Sequence, residues 1–380
     1  MEKSTVVLIP CADYDKERVY RSIKAGVDAV GGIGAFVKPS ERILVKPNFL
    51  YPSDADRCVT THPAVISAVC RLLREAGMGP VSVGDSPANG NCAGAVKKLS
   101  LDEADLFGAS VAEMTDEVTV DYPEGRACKR FRFAREVTEA DAIIGLCKMK
   151  THMLEHITGA VKNMYGLIAG YRKAVGHTRY STPVSFARML TDIHRATPQR
   201  LHIMDGITAM EGNGPASGNP VHMGILLVSA DPVALDSVFA RLIYLDPTLV
   251  PTNVQGALDG IGFYLEKDIR LLVAENGEIR ETQLPEAVSR FGKPDFDVVR
   301  GRGMHTLLGL WGRLTGGERK PVIDAEKCIR CGLCVEHCPV DGKAIAFDNG
   351  RDKPPVYRYK KCIRCYCCQE LCPGHAIRVK

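Results

Sequence analysis

The sequence predicts an α/β fold, a large mostly parallel sheet with helices on both faces, followed by a small C-terminal α+β unit. Six short apolar runs carry the first part: TVVLI (5–9), RILVKP (42–47), VSVGD (81–85), DAIIGL (141–146), LHIMD (201–205) and GILLVSA (224–230). They alternate with stretches of helical periodicity, as parallel strands buried on both faces do. A phrase written twice, KCIRCGLCVEHCP and then KCIRCYCCQELCP, carries the second. At 380 residues the chain exceeds one ordinary domain. It divides into residues 1–300, a linker at 301–320 and a cysteine-rich unit at 321–380.

Two helices are well marked. Pro63 suits a first helical turn, and Val65, Ile66, Val69, Leu72, Leu73 and Ala76 form one stripe that ends at Gly77. Asp231-Pro232 opens another, with Leu235, Val238, Phe239, Leu242 and Ile243 on one face. Asp231 is expected to cap that helix, and Asp236 reads as surface.

In an open parallel sheet, ligands sit beyond the carboxyl ends of the strands. That selects Lys46 and Asn48 after the second run, Asp85 and Ser86 after the third, Lys148, Lys150 and His152 after the fourth, and Asp205 and Glu211 after the fifth. Between Ala142 and Thr191, Lys148, Lys150, Lys162, Arg172, Lys173, Arg179 and Arg188 face only Glu155, a net of +6. A solvated face would give such a run too. Its interleaving with Gly159, Gly166, Gly170 and apolar residues favours a folded pocket for a phosphorylated or carboxylated small molecule over a nucleic-acid arm.

In the doubled phrase, Cys328, Cys331, Cys334 and Cys338 are echoed by Cys362, Cys365, Cys368 and Cys372, each as C-x2-C-x2-C-x3-C-P. Three thiolates at this spacing can curl around one iron–sulfur cubane, and the fourth, before proline, turns to the other cluster of a pair. The expected ligand sets are therefore crossed: Cys328, Cys331, Cys334 and Cys372 for one cluster, Cys362, Cys365, Cys368 and Cys338 for the second. Residues 321–380 thus resemble the bacterial-type ferredoxin with two 4Fe-4S clusters. Zinc sites usually pair two separated C-x2-C knuckles instead. Cys367 fits neither set and reads as a buried filler or a spare thiol near a cluster. AIAF and PPVYRY, between Cys338 and Cys362, look like a hairpin.

Of fifteen cysteines nine lie in the tail, and Cys11, Cys58, Cys70, Cys92, Cys128 and Cys147 are scattered, as reduced fillers would be. The formal charge of +4 falls to roughly zero once two clusters of about −2 each are added, which argues against nucleic-acid or membrane partners. No signal-peptide core opens the chain, and no segment approaches the roughly 20 apolar residues of a membrane span. A cytoplasmic protein of an anaerobic cell is expected.

Three tempting features carry less. His152-Met-Leu-Glu155-His156 matches the H-x-x-E-H inverted zincin pattern but has no evident third ligand. Gly212-Asn-Gly214-Pro-Ala-Ser-Gly218 lacks the ending of a phosphate loop and the helix that should follow, so it reads as a mobile loop over the crevice with Glu211 at its base. In the linker, Trp311 and its neighbouring leucines are expected to pin the tail to the large domain.

Residues 1–300 resemble the family called domain of unknown function 362, often fused to ferredoxin-like modules. ILVKPNFL, THPAVISAV with REAG, VGDSPA, KMKTH, TGAVKNMYGLI, MDGITAMEGNGP and SADPVALD carry the likeness. It brings no settled reaction or catalytic residues. The residues suggest a low-potential iron–sulfur oxidoreductase with an electron donor or acceptor protein as partner. A small anionic substrate would be held by Asn48, Lys148, Lys150, Lys162, Asn163 and Glu211, with Lys46, Asp85, His152 and Asp205 orienting it or managing protons. An electron-transfer or cluster-handling protein without its own substrate stands as the alternative, as does a non-redox enzyme with structural or sensing clusters. A flavin stays open as a further cofactor, and Asp85, Asp205, Glu211 and Asp231 leave a divalent metal open.

Overall fold

A computed structural model of the chain describes residues 3–170, 173–300, 319–348 and 350–380. Of the linker expected at 301–320 only Arg319 and Lys320 are described, so Trp311 and its leucines lie outside the described residues, as does Arg172.

The large sheet contains β1 (Ser4–Pro10), β2 (Ile43–Lys46), β3 (Val81–Gly84) and β4 (Ser110–Ala112); β5 (Glu117–Asp121) and β6 (Arg130–Ala134) form a separate hairpin. It continues through β7 (Ala142–His152), β8 (His156–Thr158), β9 (Gln199–Glu211), β10 (Asn219–Ser229), β11 (Ile269–Glu275) and β12 (Glu278–Thr282). The strand order is β12-β11-β1-β10-β9-β7-β2-β3-β4, with β8 folded back on β7. Pairs β1–β11, β2–β3, β2–β7, β3–β4 and β7–β9 are parallel, whereas β10 runs against both β1 and β9.

Both faces are covered, which is why the strands read as apolar runs. Along β1, Val7 and Ile9 pack with Val19, Ile23, Val65 and Leu72 of helices Lys16–Ala29 and Pro63–Glu75. The alternate residues Val6 and Leu8 pack with Leu235, Val238 and Phe239 of helix Pro232–Leu242. Asp231 caps that helix, accepting from Val233 N and Ala234 N at 2.8 Å each. Asp236 is not surface: it is buried and accepts from Ala160 N (2.6 Å) and Val161 N (3.1 Å), an anchor for the turn that starts at Gly159.

Two strands run further than their apolar runs. β7 continues to His152 and β9 to Glu211, so Lys148, Lys150 and His152 lie within a strand rather than after one, and Asp205 sits mid-strand. The alternation Lys148-Met149-Lys150-Thr151-His152 is a period-two pattern, with the polar partners supplied from other elements. A register shift between β7 and β9 falls at Lys148/Lys150.

In the tail, β13 (Pro321–Ile323) pairs with β16 (Ile377–Val379), and β14 (Ile345–Ala346) with β15 (Val356–Tyr357), the hairpin between Cys338 and Cys362. Tyr366 is buried in the same apolar cluster as Phe133, Tyr165 and Phe186 of the large domain. The loop that follows β9, expected to be mobile, is bonded at both ends. Thr151 Oγ1 donates to Gly212 O (2.9 Å), Asn213 Nδ2 donates to Ile377 O (2.9 Å), and Gln369 Nε2 donates to Asn213 O (2.7 Å). His375 Nδ1 lies 2.9 Å from Ser217 Oγ. The loop is therefore the seat of the cysteine-rich unit.

Candidate functional site

A cavity of about 880 Å³ opens where the carboxyl ends of β2, β3 and β7 meet the tail. Asn48, Asp85, Lys148, Lys150, Lys162 and Asn163 all line it, which brings together most of the residues selected from the sequence. Ser86, Tyr165, Lys173 and His177 add to its wall, and from the tail come Cys367, Glu370 and Leu371.

Two ion pairs lie under this wall. Lys46 Nζ is 2.8 Å from Asp85 Oδ1 and donates to Asn163 Oδ1 (3.1 Å), with both ions buried. Asp85 Oδ2 accepts from Phe49 N at 2.6 Å. Lys148 Nζ lies 2.8 Å from Asp205 Oδ2 and donates to Tyr14 Oη (2.8 Å), which in turn donates to Asp205 Oδ1 (2.8 Å). Burial pushes the Lys46 ammonium below its usual range despite Asp85. For Lys148, burial is outweighed by Asp205 and Tyr14, which hold it above. Lys46 and Asp205 are thus supports beneath the cavity rather than part of its lining.

The remaining lysines have no carboxylate. Lys150 Nζ donates to Asn48 Oδ1 (2.6 Å) and Val59 O (2.8 Å). Burial, followed by Lys162 and Lys148, pushes it down to about 7. Lys173 donates to Ser86 O, and burial pushes it to about 7 as well. Lys162 makes no hydrogen bond or ion pair among the described residues, yet its charge acts on Lys150, His152, Glu155 and Glu370. Two glycines let the chain close in on buried carboxylates: a Cβ at Gly159 would run into Asp236, and one at Gly166 into Asp85 and Lys46.

Two further expected residues, His152 and Glu211, stand elsewhere. His152 lies behind the wall, with Nε2 2.9 Å from Glu370 Oε1. Glu211 accepts from Asp297 N (2.9 Å), outside the cavity. His156 is the cross-strand neighbour of His152 at the β7–β8 turn, and its Nδ1 faces Val299 O (2.9 Å). The H-x-x-E-H residues thus form a hairpin turn, and a zincin helix is ruled out at this place. Among the described residues no three His, Cys, Asp or Glu side chains converge on a single metal ion. That geometry holds Asp85 and Asp205 in ion pairs and Asp231 in a cap, against the divalent metal left open for them.

A second cavity, of about 350 Å³, is lined by Cys328, Cys331, Cys334 and Cys372, together with Ile323, Ile329, Ala376 and Ile377. Four thiols on an apolar cage suit a cubane cluster. Ala376 N donates to Cys372 Sγ (3.3 Å). On the other side Ala344 N donates to Cys338 Sγ (3.3 Å) and Tyr357 Oη to Cys368 Sγ (3.1 Å). The six cysteines scattered outside the tail are all buried and unpaired. No helix among the described residues is long and apolar enough to cross a membrane.

Sequence reasoning missed Tyr14, Tyr165, Cys367 and Glu370 at this site. Glu370 sits in CQELC between two cysteines, where the local pattern points only to the clusters. Tyr14 follows β1, a strand from which no site residue was drawn.

Comparison with known proteins agrees with this architecture. The model of a domain of unknown function, DUF362, matches residues 43–241, and that of a 4Fe-4S dicluster domain matches residues 320–373. A thylakoid-associated protein of Synechocystis is 34% identical over 295 residues, covering 74% of this chain and 89% of that protein. Two solved structures are more distant. One is a lactate racemase apoprotein from Thermoanaerobacterium thermosaccharolyticum (TM-score 0.42, 11% identity, 60% of this chain and 55% of that one). The other is a Thermotoga maritima protein (TM-score 0.37, 12% identity, 65% and 59%). The chain spans little more than half of either, and neither bears on function. Because the first family model spans more than half of the chain and the cyanobacterial relative aligns over most of both proteins, the chain belongs to the DUF362 family and carries a C-terminal 4Fe-4S dicluster domain.

Proposed function

We propose that this iron–sulfur protein is an oxidoreductase that holds two 4Fe-4S clusters and exchanges electrons with a small anionic molecule in the large cavity. One observation carries the reading: Lys150, Lys162 and Lys173 face, across the same cavity, the helix Cys367–Glu370 that lies within the second cysteine run. An anion held by those lysines sits against the backbone that carries Cys365 and Cys368.

Cys328, Cys331, Cys334 and Cys372 would hold one cluster, and Cys362, Cys365, Cys368 and Cys338 the other. Clusters with all-thiolate ligands supply single electrons at low potential. Cys331 is exposed, so the first set would meet an electron donor or acceptor protein, whereas Cys338 and Cys368 of the second set are buried and Cys367, next to Cys368, lines the cavity. The large domain binds and orients. Asn48, whose Oδ1 is taken by Lys150, keeps its amide N–H groups for the ligand. Lys150, poised at about 7, can give or take a proton at Nζ near neutral pH. Tyr366 and the loop after β9 hold the tail over the cavity.

The test uses anaerobically purified protein, reduced and freed of excess reductant. Pools of phosphorylated and carboxylated metabolites are added while cluster absorbance is followed. Recovery of the oxidised colour with one pool, lost in Lys150→Ala, is expected. Reoxidation by an electron-carrier protein alone, with no response to any pool, would overturn the proposal in favour of an electron carrier.

A further inference from the structure

Resting on the reading of this cavity as an anion site, we infer that it is built for a dianion, a phosphate monoester or a dicarboxylate, whose charge pairs with Lys150, Lys162 and Lys173 together. Four lysines line the cavity, and Lys148 is already neutralised by Asp205. Lys150 and Lys173 donate only to neutral oxygens, those of Asn48, Val59 and Ser86. Lys162 has no bonded partner among the described residues. Of the carboxylates on the wall, Asp85 is paired with Lys46, and Glu370 lies 2.9 Å from His152, which burial keeps neutral.

When all three are protonated, these ammonium groups face Glu370 as the one carboxylate without a cationic side chain beside it, an excess of about two positive charges. Lys150 and Lys173, buried and pushed to about 7, relieve it by giving up protons until an anion is bound. A monoanion leaves one ammonium uncompensated; a dianion closes the balance.

The same arrangement couples binding to protons. Lys150 faces Lys148, Lys162, Asp85 and Glu370, and Lys173 faces Asp85, Lys46 and Lys162. His177, His337, Tyr165 and Cys367 complete the titratable wall, and burial keeps His177 neutral, at about 4. Lys150 and Lys173 are half charged near 7 in the empty cavity, and a dianion recharges them. Binding takes up protons, so affinity is highest below 7 and falls as pH rises above it.

The experiment is calorimetry on anaerobic holoprotein with sulfate, a dianion at every pH used, and with nitrate as the monoanion. Titrations run from pH 6.5 to 8.5 in buffers of different ionisation heat. Sulfate should bind at least tenfold more tightly than nitrate. Its affinity should fall by about tenfold per pH unit above 7 for each lysine recharged. Lys162→Met should cost sulfate at least tenfold with unfolding temperature unchanged, and Lys150→Met should remove part of the proton uptake. Methyl phosphate and succinate, each set against acetate, then separate the phosphate ester from the dicarboxylate. Equal binding of sulfate and nitrate, sulfate binding indifferent to Lys162→Met, or neither organic dianion surpassing acetate would overturn the inference. Sulfate binding without reoxidation by any metabolite would remove the redox reading and leave the dianion site. Reoxidation by a metabolite without any sulfate binding would do the reverse.

Discussion

His152 Nε2, at the end of β7, lies 2.9 Å from Glu370 Oε1, in the helix between Cys368 and Cys372. His152 Nδ1 accepts from Leu154 N and Glu155 N, both at 3.1 Å, so the ring proton belongs on Nε2, the nitrogen on the carboxylate's side. Burial holds the imidazole at about 4, neutral at physiological pH. A buried carboxylate that loses its nearest polar neighbour costs about 1–3 kcal/mol. His152→Ala should therefore raise amide exchange in residues 367–379 well before global unfolding, whereas His152→Gln, which keeps a donor, should restore most of the protection. Unchanged exchange in His152→Ala would show that this pair does not hold the tail.

Glu155 gives a pH prediction. Its carboxyl is buried with neither oxygen bonded, and burial pushes it well above the usual carboxylate range in spite of Lys162. A carboxyl raised on folding stabilises the protein fully only below its unfolded value, and the benefit is lost as pH rises towards the folded one. Glu155→Gln cannot ionise. Its unfolding temperature should exceed that of the parent at pH 8, with the difference shrinking towards pH 4.5. A parent that remains the more stable at pH 8 would mean that Glu155 is ionised and paired.

Gly166→Ala tests the ion pair beneath the cavity. The new methyl would overlap Asp85 Oδ1 and press on Lys46 Nζ, forcing apart a pair that is wholly buried. Separating such ions without replacing either leaves both desolvated and uncompensated, a cost of about 3–5 kcal/mol. Denaturant titration should show a loss of that order, together with weaker anion binding. Native stability in Gly166→Ala would mean that the backbone can retreat.

Much of this was legible in the chain because strand ends in an open sheet converge. Asn48 and Asp85 follow their strands as expected and line the cavity with Lys148 and Lys150, which the longer β7 carries within the strand, while Lys46 pairs with Asp85 beneath. What stayed hidden depends on pairing across long sequence distances. Nothing near Lys148 tells that Asp205 neutralises it and Tyr14 accepts its hydrogen bond while Lys150, two residues on, is left with amide and carbonyl oxygens. Asp236 read as surface because a helical carboxylate one turn past a cap usually is, and its partners, Ala160 N and Val161 N, lie about 75 residues away. The loop Gly212–Gly218 read as mobile for the same reason: its bonds run to Gln369, His375 and Ile377, in the other unit.

The cysteines give the sharpest test, because the crossed sets and the spare thiol make opposite predictions for neighbouring residues. Cys372 shares a cavity with Cys328, Cys331 and Cys334, although it belongs to the second written run. Cys372→Ser should therefore disturb the cluster whose other ligands lie more than thirty residues upstream and leave the cluster of Cys362, Cys365 and Cys368 intact. Cys367 lines the large cavity and is not among the residues of that cage. Cys367→Ser should keep about eight iron and eight sulfide atoms per chain, as two cubanes require. Iron and sulfide assays with electron paramagnetic resonance of the reduced protein read both variants. Loss of iron in Cys367→Ser, or Cys372→Ser altering only the signal that Cys362→Ser removes, would break the crossed assignment and make Cys367 a ligand instead of a cavity residue.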